Sequence, residues 1–408
     1  MRAILIVAVV CAAAIVGAAQ ENSDFSVSRE IDKRAEAITD KVIAWRRDIH
    51  QHPELGNREF KTAKKVAEHL KSLGLEVQIE VAHTGVVAVL RGGKPGPVVA
   101  LRADMDALPV EEQTGLPYAS KERGEYKGKD VGVMHACGHD NHVAILMGVA
   151  EVLASMKDQI PGTVKFIFQP AEEGTPDDEK GGAELMVAEG VMQDPAPEAV
   201  FGLHVGQQVA AGQVAYRAGG AMASSDEFRI TVKGRQTHAA MPWAGIDPIV
   251  VASQIVIGLQ TIVSRQIESI AAPAIITVGT FNGGVRNNII PESVEMTGTI
   301  RSFLPKMQKE MHERVKRTAE SIAASAGATA EVNILLGYPV TFNDPALAAK
   351  MHATLEGVFG ADNVTESPMV TGAEDFSYFQ QKAPGLFFFL GVRPADVPIE
   401  KAIPNHSP

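Results

Sequence analysis

VVAVLRG at residues 86–92 and VVALRAD at 98–104, separated by the turn Gly92-Gly93-Lys94-Pro95-Gly96, decide how this chain reads. Both are short β-branched runs bounded by glycine and proline, the signature of strands joined by a tight connection. On the N-terminal side, AEAITDKVIAWRRDIHQHPELG lies in a helical pattern from Ile31 to His52 that stops at Pro53 and Gly56. A second helix spans Thr62 to Leu73, ended by Gly74. On the C-terminal side come a helix from about His142 to Met156, a strand from Thr163 to Phe168, a helix near Gly182 to Glu189 and a strand from Ala199 to Leu203. This βαβ rhythm predicts an α/β domain whose mostly parallel sheet is covered by helices on both faces.

After Gly219-Gly220 the rhythm changes. Strand 226–233, helix 247–265, strands 274–281 and 293–301, helix 306–326 and strand 329–336 spell β-α-β-β-α-β, the ferredoxin-like split βαβ. We read 219–336 as an inserted domain and 24–218 with 337–408 as one discontinuous domain, in which Leu386-Phe387-Phe388-Phe389-Leu390 is a buried strand. In DPIVVASQIVIGLQTIVSRQ the apolar residues Ile249, Val250, Ile255, Val256, Ile257 and Leu259 cover more than one helix face. The surplus calls for a second buried contact, with another subunit or between domains.

Hydrophobic residues make up 45% and charged residues 21% of the 408, which excludes a disordered or low-complexity chain. A formal net charge of -11, with no basic run interleaved with aromatics, argues against a nucleic-acid partner. Arg2, the apolar stretch Ala3 to Val16 and Gly17-Ala18-Ala19 before polar Gln20 read as a cleaved export signal over residues 1–19, giving a periplasmic or secreted protein. The run is shorter than the ~20 residues of a membrane span, and no later segment reads as one. Of the two cysteines, Cys11 leaves with the signal, so Cys137 has no partner for an intrachain disulfide.

Residues able to bind metal follow the expected strands. Asp104 and Asp106 come after VVAL, Cys137 and His139 precede a helix, Glu172 and Glu173 follow VKFIFQPA, His204 follows AVFGL, and His406 lies beyond the last strand. The carboxyl ends of strands in an open parallel sheet line the ligand crevice. Thiolate, imidazole and carboxylate together suit Zn(II), Mn(II) or Co(II), whereas calcium takes oxygen only. The loop MHACGHDNH also offers His135 and His142. A lone histidine is usually an ordinary packed residue, but His135, Cys137, His139 and His142 within one short loop point to ligation. Glu172-Glu173, close to Asp177, Asp178 and Glu179, reads either as a solvated acidic loop or as a working pair. In the second case one carboxylate binds metal while its neighbour handles the proton of a water acidified from ~15.7 toward ~7.

The segments RRDIHQHPELG (46–56), LRADMDALPV (101–110), MHACGHDNH (134–142), QPAEEG (169–174), GLH (202–204), THAAMP (237–242), NNIIPE (287–292), GTIRS (298–302) and TGAEDFSYF (371–379) resemble the M20 metallopeptidase family. They are most similar to its amidohydrolase branch of hippurate hydrolases, N-acyl-amino-acid deacylases and auxin-conjugate hydrolases. The resemblance implies two divalent cations, Mn or Zn with Co also suited, held by Cys137, His139, Glu173, His204 and His406 with the sulfur shared. It further implies Glu172 as general base, Asp104 as a supporting carboxylate behind the ligands, and 219–336 as a lid and dimerisation domain. In related dimers the histidine matching His238 hydrogen-bonds the oxyanion in the partner's site; Asn288 would contact substrate, though it also reads as an ordinary turn residue. The expected substrate is an N-acyl amino acid and the expected assembly a homodimer. Alternatives are an exopeptidase acting on unblocked dipeptides and a non-catalytic metal- or peptide-binding protein. Family members usually continue past the position of His406 with an acidic turn and a helix; here His406 is expected either to fray or to be tethered by metal.

Overall fold

Gly85–Arg91 and Lys94–Asp104 are both strands, yet they do not pair with each other, because strand Pro161–Gln169 lies between them. It runs antiparallel to the first and parallel to the second. The computed structural model describes residues 21–176 and 179–408, so the expected export signal lies outside the described residues. The chain divides into two compact units.

The first unit comprises Met1–Gly219, Asn343–Pro368 and Tyr378–Pro408. Its eight-stranded sheet has the order 76–81, 85–91, 161–169, 94–104, 199–210, 385–393, 214–216 and 364–366. The middle four, 161–169, 94–104, 199–210 and 385–393, run parallel. Helix His139–Ser155 packs on strands 94–104 and 199–210 and is apolar all round, burying Val143, Leu146, Met147, Val149 and Leu153 among others. Helices Glu21–Ala37, Thr39–Gln51 and Phe60–Ser72 pack around it. Each such buried side chain contributes about 1.5–3 kcal/mol of transfer free energy, which makes this helix the centre of the unit's core. The single helix expected over 31–52 is broken at Ile38, where Thr39 turns its hydroxyl back onto the carbonyl of Ala35 at 3.1 Å.

The second unit comprises Gly220–Phe342 and Met369–Ser377. Its antiparallel sheet has the order 274–283, 293–302, 226–233, 329–335, with helices Pro248–Thr261 and Pro305–Ser325 in the sequence order of a split βαβ. Phe228, Ile230 and Val232 alternate inward from the strand, and Met307, Met311, Val315, Ala319 and Ala323 form the buried helical stripe at four-residue spacing. Met369–Ser377, expected in the other domain, joins this unit because Ala223 N–H donates to the carbonyls of Val370 (3.0 Å) and Gly372 (3.1 Å). Val251, Ala252, Ile255 and Leu259 of the first helix enter the core, while Val250 and Ile257 are 53% and 70% exposed. Pro248–Gln266, 19 residues, is by length and composition the span that the sequence was expected to lack; its buried face belongs to this core.

Candidate metal centre

Strand 94–104 has 161–169 on one side and 199–210 on the other, so the chain crosses back over it between those two strands. A crevice opens at such a switch point. Pairing of 94–104 with 199–210 ends at Arg102 and Gly202, just before Asp104 and His204. His204 does not lie beyond a strand end, as AVFGL implied. Buried Val205 and Val209 carry the strand on to Ala210, and His204 sits within it opposite Phe389.

The Cys137-Gly138-His139 turn reaches into this gap. Gly138 has φ +96°, and a Cβ there would sit 2.3 Å from Val205, so only glycine lets the turn approach this closely. Cys137 Sγ is then 3.4 Å from His204 Nε2. His139 Nδ1 donates to the Asp106 carbonyl at 2.9 Å, leaving Nε2 buried, without a hydrogen-bond partner among the described residues, and 3.9–4.0 Å from Glu172 and Glu173. Two triads of ligand atoms, Cys137–His139–His204 and Cys137–Glu173–His406, each lie within 4.8 Å of one another and share the sulfur; His139, Glu172 and Glu173 form a third such group. A buried imidazole nitrogen with no partner beside a thiolate and carboxylates fits a cation of the zinc or manganese kind. His406 is tied down: its N–H donates to Ala136 O at 2.9 Å, its ring meets Glu173 at 2.9 Å, and Asn405 donates to the sulfur at 3.5 Å.

Other expected residues separate by their hydrogen bonds. His142 Nδ1 donates to Asp104 Oδ1 at 2.5 Å and its Nε2 accepts from Val205 N–H at 2.9 Å, so both nitrogens are used and it has no lone pair left for metal. His135 is buried with neither nitrogen partnered and belongs to no ligand group among the described residues. Asp104 is wholly buried, its other oxygen taking Arg102 Nη1 at 2.6 Å while Arg102 Nε donates to Gln169 at 2.7 Å. Asp106, read as a possible ligand, is a clamp instead: its two oxygens accept the N–H groups of Glu172 (3.0 Å) and Glu173 (2.9 Å). His238 and Asn288 lie in the second unit, brought together by the Thr237–His238 and Ile289–Ile290 bridge and by Ala239 N–H donating to Asn288 O at 3.0 Å.

The family model for Peptidase family M20/M25/M40 matches residues 100–406. The chain belongs to this family. Among curated proteins it is 45% identical over 358 residues to thermostable carboxypeptidase 1 of Saccharolobus solfataricus, covering 87% of each chain. It is 38% identical to N-acetyl-L-cysteine deacetylase of Bacillus subtilis, covering 86% of this chain and 80% of that one. Among solved structures, the B. subtilis YXEP protein, described as a dinuclear metal binding peptidase from the M20 family, superposes with a TM-score of 0.73 at 36% identity, covering 87% of this chain and 89% of that one. This M20/M25/M40 member is a metal-dependent hydrolase of amide bonds.

Its cluster is electrostatically coupled. Burial resists ionisation of Cys137, yet the His204 charge and hydrogen bonding from His204 and His406 bring the thiol down to about 6. Burial likewise opposes a charge on His204, but the Cys137 thiolate and Asp104 lift it to about 9. Hydrogen bonds to Cys137 and Glu173 lift His406 to about 10. Desolvation prevails at His142, which falls to about 4 and is neutral, as its two hydrogen bonds require. Glu59 had no sequence signal at all. Burial first, then the Asp106 charge, pushes it up to about 8, while it accepts Ala171 N–H at 2.9 Å and the Thr84 hydroxyl at 2.5 Å. Ala171 has φ +49°, so Glu59 steadies the strained residue from which the Glu172-Glu173 pair departs.

Proposed function

We propose that this hydrolase cleaves the amide bond of N-acyl amino acids, releasing a carboxylic acid and an amino acid, with two divalent cations held by Cys137, His139, Glu173, His204 and His406. The observation that carries the reading is one sulfur belonging to two ligand triads, with Glu172 in a third group beside His139 and Glu173. When bound, the cations supply the Lewis acidity that polarises the scissile carbonyl and acidifies the attacking water; manganese and zinc suit this donor set, and cobalt also. Glu172, its backbone fixed by Asp106, takes the water's proton and passes it to the leaving nitrogen. The Asp106 carbonyl, accepting from Nδ1, orients His139, and Asp104, held by Arg102 and His142, keeps a buried negative charge 3.8 Å from His139 Nε2, behind the ligands.

His238 accepts Ala240 N–H on Nδ1 at 3.0 Å, so its neutral ring carries the proton on Nε2, the form that donates to a developing oxyanion. Asn288 has a buried Oδ1 without a hydrogen-bond partner among the described residues, an acceptor for substrate. We assign both to catalysis in a homodimer, with the exposed apolar face of Ile249, Val250 and Ile257 supporting a contact between copies. Export, to the periplasm or beyond the cell, rests on residues 1–19 alone; sequencing the N-terminus of the mature protein tests it, with a start near Gln20 expected and an intact Met1 contradicting it.

The deciding assay compares an N-acetyl or N-benzoyl amino acid with an unblocked dipeptide. The account expects kcat/KM more than about tenfold higher on the blocked substrate, a difference of roughly 1.4 kcal/mol in transition-state binding. The 45% identity to a carboxypeptidase favours a second reading, removal of a peptide's C-terminal residue by the same cluster, and equal or faster turnover of the dipeptide would establish it.

A further inference from the structure

The first unit holds a cleft of about 490 Å³ that opens onto the ligand cluster: its wall begins at Glu173 and Asp106 and continues through Leu108 and Leu55 to a hairpin. The hairpin is Arg123–Tyr126 paired with Lys129–Gly132. Lys127 (φ 51°) and Gly128 (φ 72°) form its two-residue loop, both in the left-handed region that a tight I′ turn requires. Arg123 pins its base, meeting Asp130 at 2.8 Å and Glu111 at 2.9 Å. A Cβ on Gly124 would lie 3.1 Å from Leu55, so the Gly124 face is the one turned to that wall, and Tyr126, two residues on, projects from the same face.

The wall's chemistry narrows the occupant. Arg58 is already engaged by Glu179 at 2.6 Å and by the Asn57 carbonyl, Lys127 Nζ lies 5.5 Å from the Tyr126 ring, and Glu125 adds negative charge. An anionic tail therefore gains little here, while Leu55, Leu108 and the Tyr126 ring offer apolar and aromatic surface. The volume lies in the range of small-molecule sites, about 300–1,000 Å³, and an acetyl group would leave most of it to water.

Resting on the N-acyl amino acid reading above, we propose that this cleft is the acyl subsite, that it selects neutral aromatic or aryl-alkyl acyl groups over acetyl, and that Tyr126 is its specificity-determining side chain. The ring stacks on the acyl group while the amide lies at the Glu173 end of the cleft.

The test uses Tyr126→Ala and Tyr126→Phe in the full, metal-loaded chain. For one amino acid carried as its N-benzoyl and N-acetyl derivatives, Tyr126→Ala is expected to cut kcat/KM on the benzoyl substrate by about ten- to a hundredfold, the effect of losing burial against a ring. The acetyl substrate should stay within about threefold, and Tyr126→Phe should retain the preference. Equal losses on both substrates, or an unchanged preference, overturn the proposal. A binding measurement separates this from the reading it rests on: benzoate should bind the wild-type protein at least about tenfold more tightly than acetate by calorimetry, and Tyr126→Ala should erase the difference. If benzoate selectivity holds while no N-acyl amino acid is turned over, the cleft stands and the proposed reaction falls. Equal binding of the two acids in the wild-type protein overturns the cleft.

Discussion

Asp106→Asn should disable the centre without emptying it. In the native chain both carboxylate oxygens accept backbone N–H groups, from Glu172 at 3.0 Å and Glu173 at 2.9 Å. An amide keeps one acceptor and turns an NH2 toward the other N–H, so one charge-assisted bond is lost and a donor is stranded. The lost bond is worth about 1.5–3 kcal/mol and the stranded donor costs about 1–3 kcal/mol more, part of which the loop recovers by shifting. A shift of the order of 1 Å at a catalytic group costs about a hundredfold in rate. We therefore expect kcat to fall about a hundredfold, KM to stay within about threefold, and metal content at saturating cation to remain that of the wild type, because the ligand side chains are untouched. Steady-state kinetics beside elemental analysis of the same sample reads all three. A kcat within threefold of wild type would refute the clamp; so would a loss confined to KM.

Glu172→Gln should keep the metal and lose at least about 10²–10⁴ in kcat, the usual share of a general base; retained turnover would remove Glu172 from that role. His142→Ala should lower stability by about 2–4 kcal/mol in denaturant titration, since it strands buried Asp104 and Val205 N–H, yet leave two cations per chain; a loss of one cation would make His142 a ligand after all. In the metal-free chain His204 and His406, raised to about 9 and about 10, are protonated at neutral pH, and a cation binds only the neutral rings. Affinity should therefore rise with pH up to about 10 with net proton release, detected as a buffer-dependent calorimetric enthalpy; buffer independence would contradict it. By the same shifts, the two histidines stabilise the metal-free fold fully below their ordinary value of 6.5, and that contribution is lost as pH rises through 9–10. Ile257→Lys should convert a dimer to monomers in sedimentation analysis, and an already monomeric wild type would dismiss the interface.

Strands 94–104, 161–169 and 385–393 were legible because doubly covered parallel strands must be apolar along their length, and the ligands because thiol, imidazole and carboxylate crowd into so few residues. Glu76–Val81 escaped notice as an exposed edge with little inward alternation, and the 123–132 hairpin because its residues are charged and small. The clamps could not be read at all. Asp106 and Glu59 act on backbone N–H groups, which no residue pattern encodes. The resemblance named His139 as a ligand and left His142 only as a further histidine of the loop, three residues on along the same helix face; the bonds to Asp104 and Val205 N–H give His142 its supporting part. Ala223's bonds to Val370 and Gly372 moved 369–377 into the second unit, a long-range pairing invisible to local periodicity.

Anomalous diffraction from crystals of the manganese-loaded protein tests the two-cation centre most directly. The account predicts two peaks per chain, one among Cys137, His139 and His204 and the other among Cys137, Glu173 and His406, with the sulfur bonded to both. A single peak, or two that do not meet at Cys137, would contradict it.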